Sequence, residues 1–186
     1  MRGLLAVALL LAWPRAASAE RFRFPLSDDC ATTRCTVVSA YRDVGMGKDW
    51  SCSDHTYAGH KGTDFAIVGS FTAQDEGRTI VAAAAGTVDA VSDGAGDRCT
   101  TGDCPGGGGF GNYVRIRHAD GEVTYYAHMR MGSILVAEGQ TVTCGQPIGL
   151  VGSSGHSTGP HCHFEPRQSN ATTTIEPFAG ACGAAD

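Results

Sequence analysis

Three short segments of the chain carry residues that could bind a metal ion or transfer protons. GHKGTD holds His60 and Asp64, TYYAHM holds His128, and GPHCHFE holds His161 and His163. Residues two or four positions apart share a face of an extended strand, so the first two can point into one space, and so can the last two. A lone histidine is usually a surface or hydrogen-bonded residue, but the combination of five such residues indicates a site.

The chemistry that these residue types favour is zinc-dependent hydrolysis. Zinc takes imidazole and carboxylate ligands in a tetrahedron, and a catalytic site keeps one position for water. Two histidines and one aspartate supply three ligands, which leaves two histidines to transfer protons or to stabilise an oxyanion beside the metal. The sequence contains no HExxH motif, so the arrangement with a glutamate base on a zinc-binding helix is excluded. The residues therefore predict a peptide hydrolase.

The elements that position these residues are predicted to be short β-strands. Apolar segments such as TVVSAY, DFAIV, NYVRIRH, VTYYAHM and PIGLVG are bounded by Gly, Asp, Asn, Ser or Pro. IVAAAAG, between GRT and GTV, is interpreted as a buried strand rather than a helix, and residues 119–121 predict a hairpin turn between two β-rich segments. No long segment has helical periodicity. We therefore predict an all-β fold, largely antiparallel, in a single domain.

The N-terminus is typical of a secretory signal peptide. Residues 1–19 carry a basic residue, a run rich in leucine and alanine and a small-residue ending, which predicts cleavage after Ala19. Residues 20–186 then form the mature domain, with a core of about residues 36–178. No later segment approaches the ~20 apolar residues of a membrane-spanning helix.

The expected mature chain is acidic. Removal of Arg2 and Arg15 with the signal peptide lowers the 14 basic residues to 12, against 19 acidic ones, which gives a formal charge of −7. This charge argues against nucleic acid and anionic membranes as partners.

Eight cysteines in an exported chain predict disulfides. Proximity in the sequence pairs Cys30 with Cys35 and Cys99 with Cys104. Three connectivities are then possible for the other four cysteines, Cys52, Cys144, Cys162 and Cys182. A structural zinc site built from the two C-x4-C pairs is the weaker alternative, because its spacing is loose and an oxidising compartment competes for the thiolates.

The same segments resemble the motifs of the lysostaphin and LytM type of zinc metallopeptidase, whose members cut peptide cross-links in bacterial peptidoglycan. GHKGTD resembles the HxxxD motif, TYYAHM the central histidine segment, and GQPIGLVGSSGHSTGPHCHFE the glycine-rich approach to the HxH motif. The resemblance extends from about TVVSAY to IEPF and implies a β-sheet domain with an open groove. Position by position, it implies that His60, Asp64 and His163 bind zinc and that His128 and His161 are catalytic.

The resemblance also implies a secreted or periplasmic zinc metalloendopeptidase that acts on a peptidoglycan peptide or a glycine-rich peptide. We expect one catalytic zinc ion, no nucleic acid, no membrane span and a monomer. One alternative is a non-catalytic relative of the same fold that binds peptidoglycan or protein, although retention of all five residues argues against it. The other is a zinc amidase that cuts between sugar and peptide, but its ligand pattern differs.

Two features depart from the family pattern. Cys162 stands between the two histidines where relatives often have leucine, and since it faces away from the metal we expect it in the core or in a disulfide rather than as a fourth ligand. The loop over residues 93–109 is longer than usual and is either one wall of the groove or a surface insertion. The other three histidines match no motif and are expected in loops: His55, His118 and His156.

Overall fold

The structure is a computed structural model that describes residues 21–27, 35–178 and 180–182. Within these residues lie nine short strands and one helix. The first elements are β1 (Thr36–Ala40), β2 (Thr63–Ile67), α1 (Ser70–Glu76), β3 (Thr79–Val81) and β4 (Gly86–Ser92). The later elements are β5 (Tyr113–Arg117), β6 (Val123–Ala127), β7 (Thr141–Val142), β8 (Pro147–Leu150) and β9 (His161–Arg167). The predicted β fold is confirmed, with one short helix added.

The strands form two sheets that share one apolar core. Seven strands lie in the order β1, β2, β9, β6, β5, β4, β7, and β3 pairs with β8 separately. Every strand pairing is antiparallel. Side chains from both sheets meet in the core, among them Phe65, Ile80, Ile116, Ile148 and Phe164. The opposite face of the large sheet is therefore available for polar residues.

Strand alternation separates the core face from this polar face. In β2, Phe65 and Ile67 belong to the core, whereas Asp64 alternates to the other face. In β9, Cys162 and Phe164 belong to the core, so the intervening residues of the strand alternate to the polar face. The two central strands thus supply polar side chains to one surface.

The predicted hairpin is confirmed, but the alanine-rich segment differs from its predicted form. Arg117 of β5 pairs with Val123 of β6 around the turn. IVAAAAG is not one strand: β3 ends at Val81, β4 begins at Gly86, and the intervening residues connect the two sheets. The first alanines are buried as predicted, and their small side chains allow the backbone to turn inside the core.

The helix α1 was not predicted from the sequence. It spans seven residues, which is less than two full helical turns. It begins after Gly69, whose φ of 99° lies in the left-handed region. An apolar stripe cannot be recognised over so short a segment. Over the described part of the chain, no helix has the length and apolar character needed to cross a membrane.

Two disulfides lie within the described residues. Cys99 is bonded to Cys104, which confirms that prediction. Cys52 is bonded to Cys182 across 130 positions of sequence, but Cys144 and Cys162 are free, so the second bond of the predicted connectivity is not formed. Disulfides of this kind persist in oxidising compartments and fit an extracellular or periplasmic protein.

The other cysteines differ in their surroundings. Cys162 is fully buried in the core and carries a free thiol, whose pKa is raised by burial. Core packing is therefore its role, and a neutral thiol on the core face is not a metal ligand. Cys144 is also free but exposed. Cys30 lies outside the described residues, and so does its predicted pairing with Cys35.

Candidate metal centre and groove

The register of the two central strands brings the predicted site residues together. Asp64 of β2 lies directly opposite His163 of β9, and Ala66 lies opposite His161. Side chains opposite each other on one face of an antiparallel pair have Cβ atoms about 5 Å apart. His60 precedes β2 and is buried, with 4% of its surface exposed. Two strands and one loop end therefore converge on a single point.

Three side chains meet there at ligand-to-ligand distances. Asp64 Oδ1 lies 2.7 Å from His163 Nδ1 and 3.1 Å from His60 Nε2. The two imidazole nitrogens lie 3.2 Å apart. In a tetrahedron with metal–ligand distances of about 2.1 Å, neighbouring ligand atoms are about 3.4 Å apart. Two imidazoles and one carboxylate at these separations fit a divalent ion of the zinc type, and the three residues are the group in the described chain that could hold a metal.

Further partners fix the imidazole rings of this cluster. His60 Nδ1 lies 2.6 Å from the carbonyl oxygen of Tyr41, and donation to it leaves Nε2 free to act as a ligand. His163 Nε2 lies 2.9 Å from Glu165 Oε2, and the other carboxylate oxygen of Glu165 accepts a hydrogen bond of 2.6 Å from Arg167 Nε. Carboxylate and carbonyl partners of this kind orient metal-binding histidines and keep the proton off the ligating nitrogen.

The electrostatics of the cluster match a cation site. Burial opposes ionisation of Asp64, but hydrogen bonds from His163 and His60 outweigh it and hold the pKa of Asp64 well below its usual range. Burial lowers the pKa of His163, but its hydrogen bonds to Asp64 and Glu165 outweigh this effect and raise the pKa to about 9. A buried carboxylate that stays ionised between two imidazoles suits a cation.

His128 and His161 form a second pair beside this cluster. Their ring centroids lie 4.6 Å apart, and His161 Nε2 is 3.6 Å from Asp64 Oδ1. His128 Nδ1 lies 2.7 Å from the carbonyl oxygen of Ser154, and His161 Nδ1 lies 2.8 Å from that of Gly159. Carbonyls only accept hydrogen bonds, so each Nδ1 carries the proton and each Nε2 has a free lone pair.

Both imidazoles of this pair are neutral near pH 7. Burial lowers the pKa of His128 well below its usual value, and the nearby His161 and His163 lower it further. Burial also lowers the pKa of His161, although the charge of Asp64 acts in the opposite direction. A neutral imidazole with a free Nε2 can accept a proton and return it later.

The backbone at His128 has an unusual conformation. Its φ of 58° lies in the left-handed region, in which histidine is enriched relative to most residues other than glycine. His128 N donates to Phe110 O at 2.9 Å, so a loop contact holds the residue immediately after β6 ends. Such conformations cluster at functional sites, because the surrounding structure must hold them in place.

Gly62 provides space for the ring of His163. A Cβ atom at this position would lie 2.8 Å from His163 Nε2 and 2.5 Å from the carbonyl oxygen of Phe164. Both distances are closer than van der Waals contact, and one of the atoms belongs to the backbone. The glycine in GHKGTD is therefore required for the close approach of two strands.

Glu165 and Tyr57 are site residues that the sequence analysis missed. The strand period contained a signal for Glu165, because it shares the polar face of β9 with His161 and His163. The ring of Tyr57 stacks on that of His60 with centroids 4.3 Å apart. Its position in a loop between elements left no periodic signal that could have identified it.

Two pockets flank the cluster, and Tyr57 lines both. The first, which we call the basic pocket, has a volume of about 430 Å³ and includes Lys61, Phe110, His156 and Arg167 in its walls. The second, which we call the neutral pocket, has a volume of about 380 Å³ and includes Ser39, Ala40, Ala66, Thr158, Gly159 and Pro160. Together they form a groove that runs across the metal centre.

The remaining residues singled out from the sequence have simpler roles, with one exception. The ring nitrogens of His118 lie 2.9 Å from Ala85 O and 2.9 Å from Thr124 Oγ1, away from the groove. The exception is His156, whose loop contributes to the basic pocket.

The loop over residues 93–109 also contacts the groove. Gly109, at its end, lines the basic pocket, which favours the interpretation of this loop as part of one wall.

Comparison with known proteins identifies a family. Residues 58–177, which include all five predicted site residues, match the profile of Peptidase family M23. Over 60 residues the chain is 57% identical to the DD-carboxypeptidase/endopeptidase Mpg of Neisseria meningitidis. This aligned segment covers 32% of this chain and 13% of the relative. Over 55 residues it is 51% identical to the peptidoglycan DD-endopeptidase ShyA of Vibrio cholerae. This second aligned segment covers 30% of this chain and 12% of the relative.

A solved structure agrees with these relatives. A zinc-containing peptidase from Vibrio cholerae superposes with a TM-score of 0.57 at 26% identity, covering 87% of this chain and 41% of that one. The aligned part of this chain spans only about an eighth of each of the two relatives compared here. Similarity is therefore established for the domain that carries the groove.

Proposed function

The chain belongs to peptidase family M23, and from this membership and the geometry of the groove we propose that it is a secreted zinc endopeptidase that cuts peptide cross-links of bacterial peptidoglycan. The observation that carries the proposal is the convergence of His60, Asp64 and His163 beside two neutral imidazoles. We propose these three residues as the zinc ligands and His128 and His161 as the catalytic residues.

The substrate part of the proposal is supported by the relatives. One of them is named as a peptidoglycan DD-endopeptidase, and the family is one of peptidases. The groove is open at both pockets, so a peptide can extend through it in both directions. Secretion is supported by the two disulfides and by the signal peptide predicted for residues 1–19, which lie outside the described residues. We propose that residues 20–186 are the mature chain and that it acts as a monomer.

The reaction follows from the proton positions in the groove. When bound, zinc lowers the pKa of a coordinated water to about 7 and polarises the scissile carbonyl. The Nε2 atom of either His128 or His161 accepts the proton of the attacking water. The imidazolium formed then donates its Nε2 proton to the departing amine, and the other imidazole can stabilise the oxyanion only when its own Nε2 is protonated. The carbonyls of Ser154 and Gly159 hold both rings through this exchange.

Substitution of the five residues tests the proposal through two phenotypes. His163→Ala or Asp64→Ala removes one of three ligands, so zinc content and hydrolysis should both fall. His128→Ala or His161→Ala leaves the ligands in place, so zinc content should stay near one per chain while turnover falls ~10²-fold to 10⁴-fold. The measurements are zinc stoichiometry and turnover for each variant.

Two results would contradict the assignments. Loss of zinc from His161→Ala with retention in His163→Ala would reverse the roles within HCH. Full activity of His128→Ala would exclude the proposed proton transfer. An exposed histidine outside the groove provides the control, because His55→Ala should change neither zinc content nor turnover.

Metal removal separates the enzyme from a non-catalytic relative. Chelation should abolish hydrolysis of purified peptidoglycan, and stoichiometric zinc should restore it. The fold should survive, because the core and two disulfides do not depend on the ion. Circular dichroism of the chelated protein checks this. Product analysis excludes the amidase alternative if the bond between sugar and peptide remains intact.

A further inference from the structure

The two pockets beside the metal centre differ in charge. Lys61, His156 and Arg167 line the basic pocket together with one acidic residue, Glu165, whereas the neutral pocket is lined by Asp64 and by no lysine or arginine. The whole chain has a formal charge of −5 at pH 7, so the basic pocket opposes the overall charge of the molecule. A local field of this kind favours a negatively charged group at one end of the groove.

Only one of these basic groups lacks a partner within the described part of the chain. Arg167 donates to Glu165 and, at 2.7 Å, to the carbonyl oxygen of Ala171, and its guanidinium lies over the ring of Tyr125. His156 Nε2 lies 3.2 Å from Asp103 Oδ1. Lys61 is exposed, and its ammonium forms no hydrogen bond or ion pair with any described residue. It is therefore the group that is available to a ligand.

The position of Lys61 ties this charge to the reaction centre. It directly follows His60, so their Cα atoms are about 3.8 Å apart. Both residues line the basic pocket, and the rings of Tyr57 and Phe110 supply apolar walls around them. One free ammonium beside two aromatic rings suits an amino-acid residue that carries a single carboxylate. A polyphosphate would require several donors.

We propose that the basic pocket is a subsite for a substrate residue with a free carboxylate, held by the Lys61 ammonium. The neutral pocket takes a small uncharged residue on the other side of the scissile bond, because Ala40, Ala66 and Gly159 line it. The enzyme thus prefers peptides with an acidic residue adjoining the bond that is cut. This inference rests on the proposed function and adds the substrate class and its orientation.

The test compares two cross-linked muropeptides that differ at one group. One carries a free carboxylate on the residue that adjoins the cross-link, and the other carries the corresponding carboxamide. The wild-type protein should have about tenfold higher kcat/KM for the carboxylate form, mainly through a lower KM, as one charge-assisted hydrogen bond allows. This ratio should fall toward one at high salt, because the ammonium is exposed.

Lys61→Met removes the charge and keeps most of the aliphatic chain. The ratio should fall to about one, with zinc content unchanged. Lys48→Met is the control, because Lys48 has a partly exposed side chain that pairs with Asp54 and does not line either pocket. Its ratio should stay near tenfold.

Binding to the His161→Ala variant, whose substituted residue does not line the basic pocket, measures the same preference at strongly reduced turnover. Calorimetry with both muropeptides should give tighter binding of the carboxylate form, and adding Lys61→Met to this variant should remove the difference. A wild-type ratio near one, or a tenfold ratio that survives Lys61→Met, would overturn the subsite. If neither muropeptide is hydrolysed, the proposed function fails and the calorimetric comparison alone decides the subsite.

Discussion

His128 and His161 depend on two backbone carbonyls for their chemistry. A histidine on an open surface exchanges tautomers and titrates near pH 6.5. Here each Nδ1 is held by a carbonyl oxygen, and burial favours the neutral ring. The free Nε2 atoms are thereby prepared to act as bases before substrate arrives.

The pH dependence of hydrolysis should reflect these lowered pKa values. The base must be neutral, and a group with a lowered pKa stays neutral to lower pH. The acidic limb of the kcat/KM profile should therefore have an apparent pKa below 6.5. A bound metal ion acts in the same direction, because its positive charge opposes protonation of nearby imidazoles. A profile measured from pH 4 to 9 checks this, and an acidic limb above 7 would contradict it.

Sequence spacing predicts part of this arrangement. The interval of two residues correctly placed His161 and His163 on one face of β9, since strand alternation is local. His60 also meets Asp64 as expected, but it does so from the loop before β2 and not through strand alternation. The stacking of Tyr57 could not be predicted, because it depends on how a loop folds over His60. The left-handed backbone of His128 likewise results from a contact with a distant loop.

The disulfide loop over residues 99–104 supports residues 153–157, which carry the carbonyl of Ser154 and lie next to that of Gly159. Three backbone hydrogen bonds of 2.8 to 3.2 Å join this loop to residues 153–157. The buried hydroxyl of Ser153 donates to Cys99 O at 2.6 Å and lies 2.8 Å from Ser157 Oγ. The loop therefore supports the backbone against which His128 and His161 are oriented.

Removing this disulfide should lower turnover without loss of zinc. The double variant Cys99→Ser/Cys104→Ser keeps the three ligands but loosens the supporting segment. We expect kcat to fall about tenfold, because small displacements of catalytic groups have large effects on rate. Zinc content and kcat are measured together. An unchanged kcat would show that residues 153–157 hold their position without the disulfide.

At the scale of elements, the sequence predicts strands better than it predicts their partners. The hairpin of β5 and β6 followed from its turn residues, because the two strands are adjacent in the chain. The placement of β9 between β2 and β6 joins segments about 100 and 40 residues apart. Such pairings depend on the whole core, and local patterns do not contain them.

The disulfide between Cys52 and Cys182 connects the segment between β1 and β2 to the C-terminal end of the described residues. Next to it, Cys182 N donates to Trp50 O at 3.0 Å, and the ring of Trp50 stacks on Phe178 at 5.7 Å. The segment between β1 and β2 also includes Tyr41, whose carbonyl oxygen contacts His60. The bond thus closes the chain around the groove without contacting its catalytic residues.

Loss of this disulfide should reduce stability and spare catalysis. Cys52→Ser/Cys182→Ser releases a closed loop of 130 positions, which should lower the free energy of unfolding by about 2–5 kcal/mol. Denaturant titration measures this change. At temperatures where the variant stays folded, its kcat should lie within about twofold of wild type, in contrast to the Cys99/Cys104 variant. Equal loss of kcat in both double variants would show that the loop over residues 99–104 has no specific role in supporting residues 153–157.

The pairing of Asp64 with His163 also links the metal to correct folding. A slip of one residue between β2 and β9 would turn Cys162 and Phe164 toward the groove and both histidines toward the core. Only the native alignment then brings the three side chains together, so a metal ion bound by them would stabilise that alignment and no shifted one. A metal ion that is present during folding would thus favour the correct strand register over the shifted one.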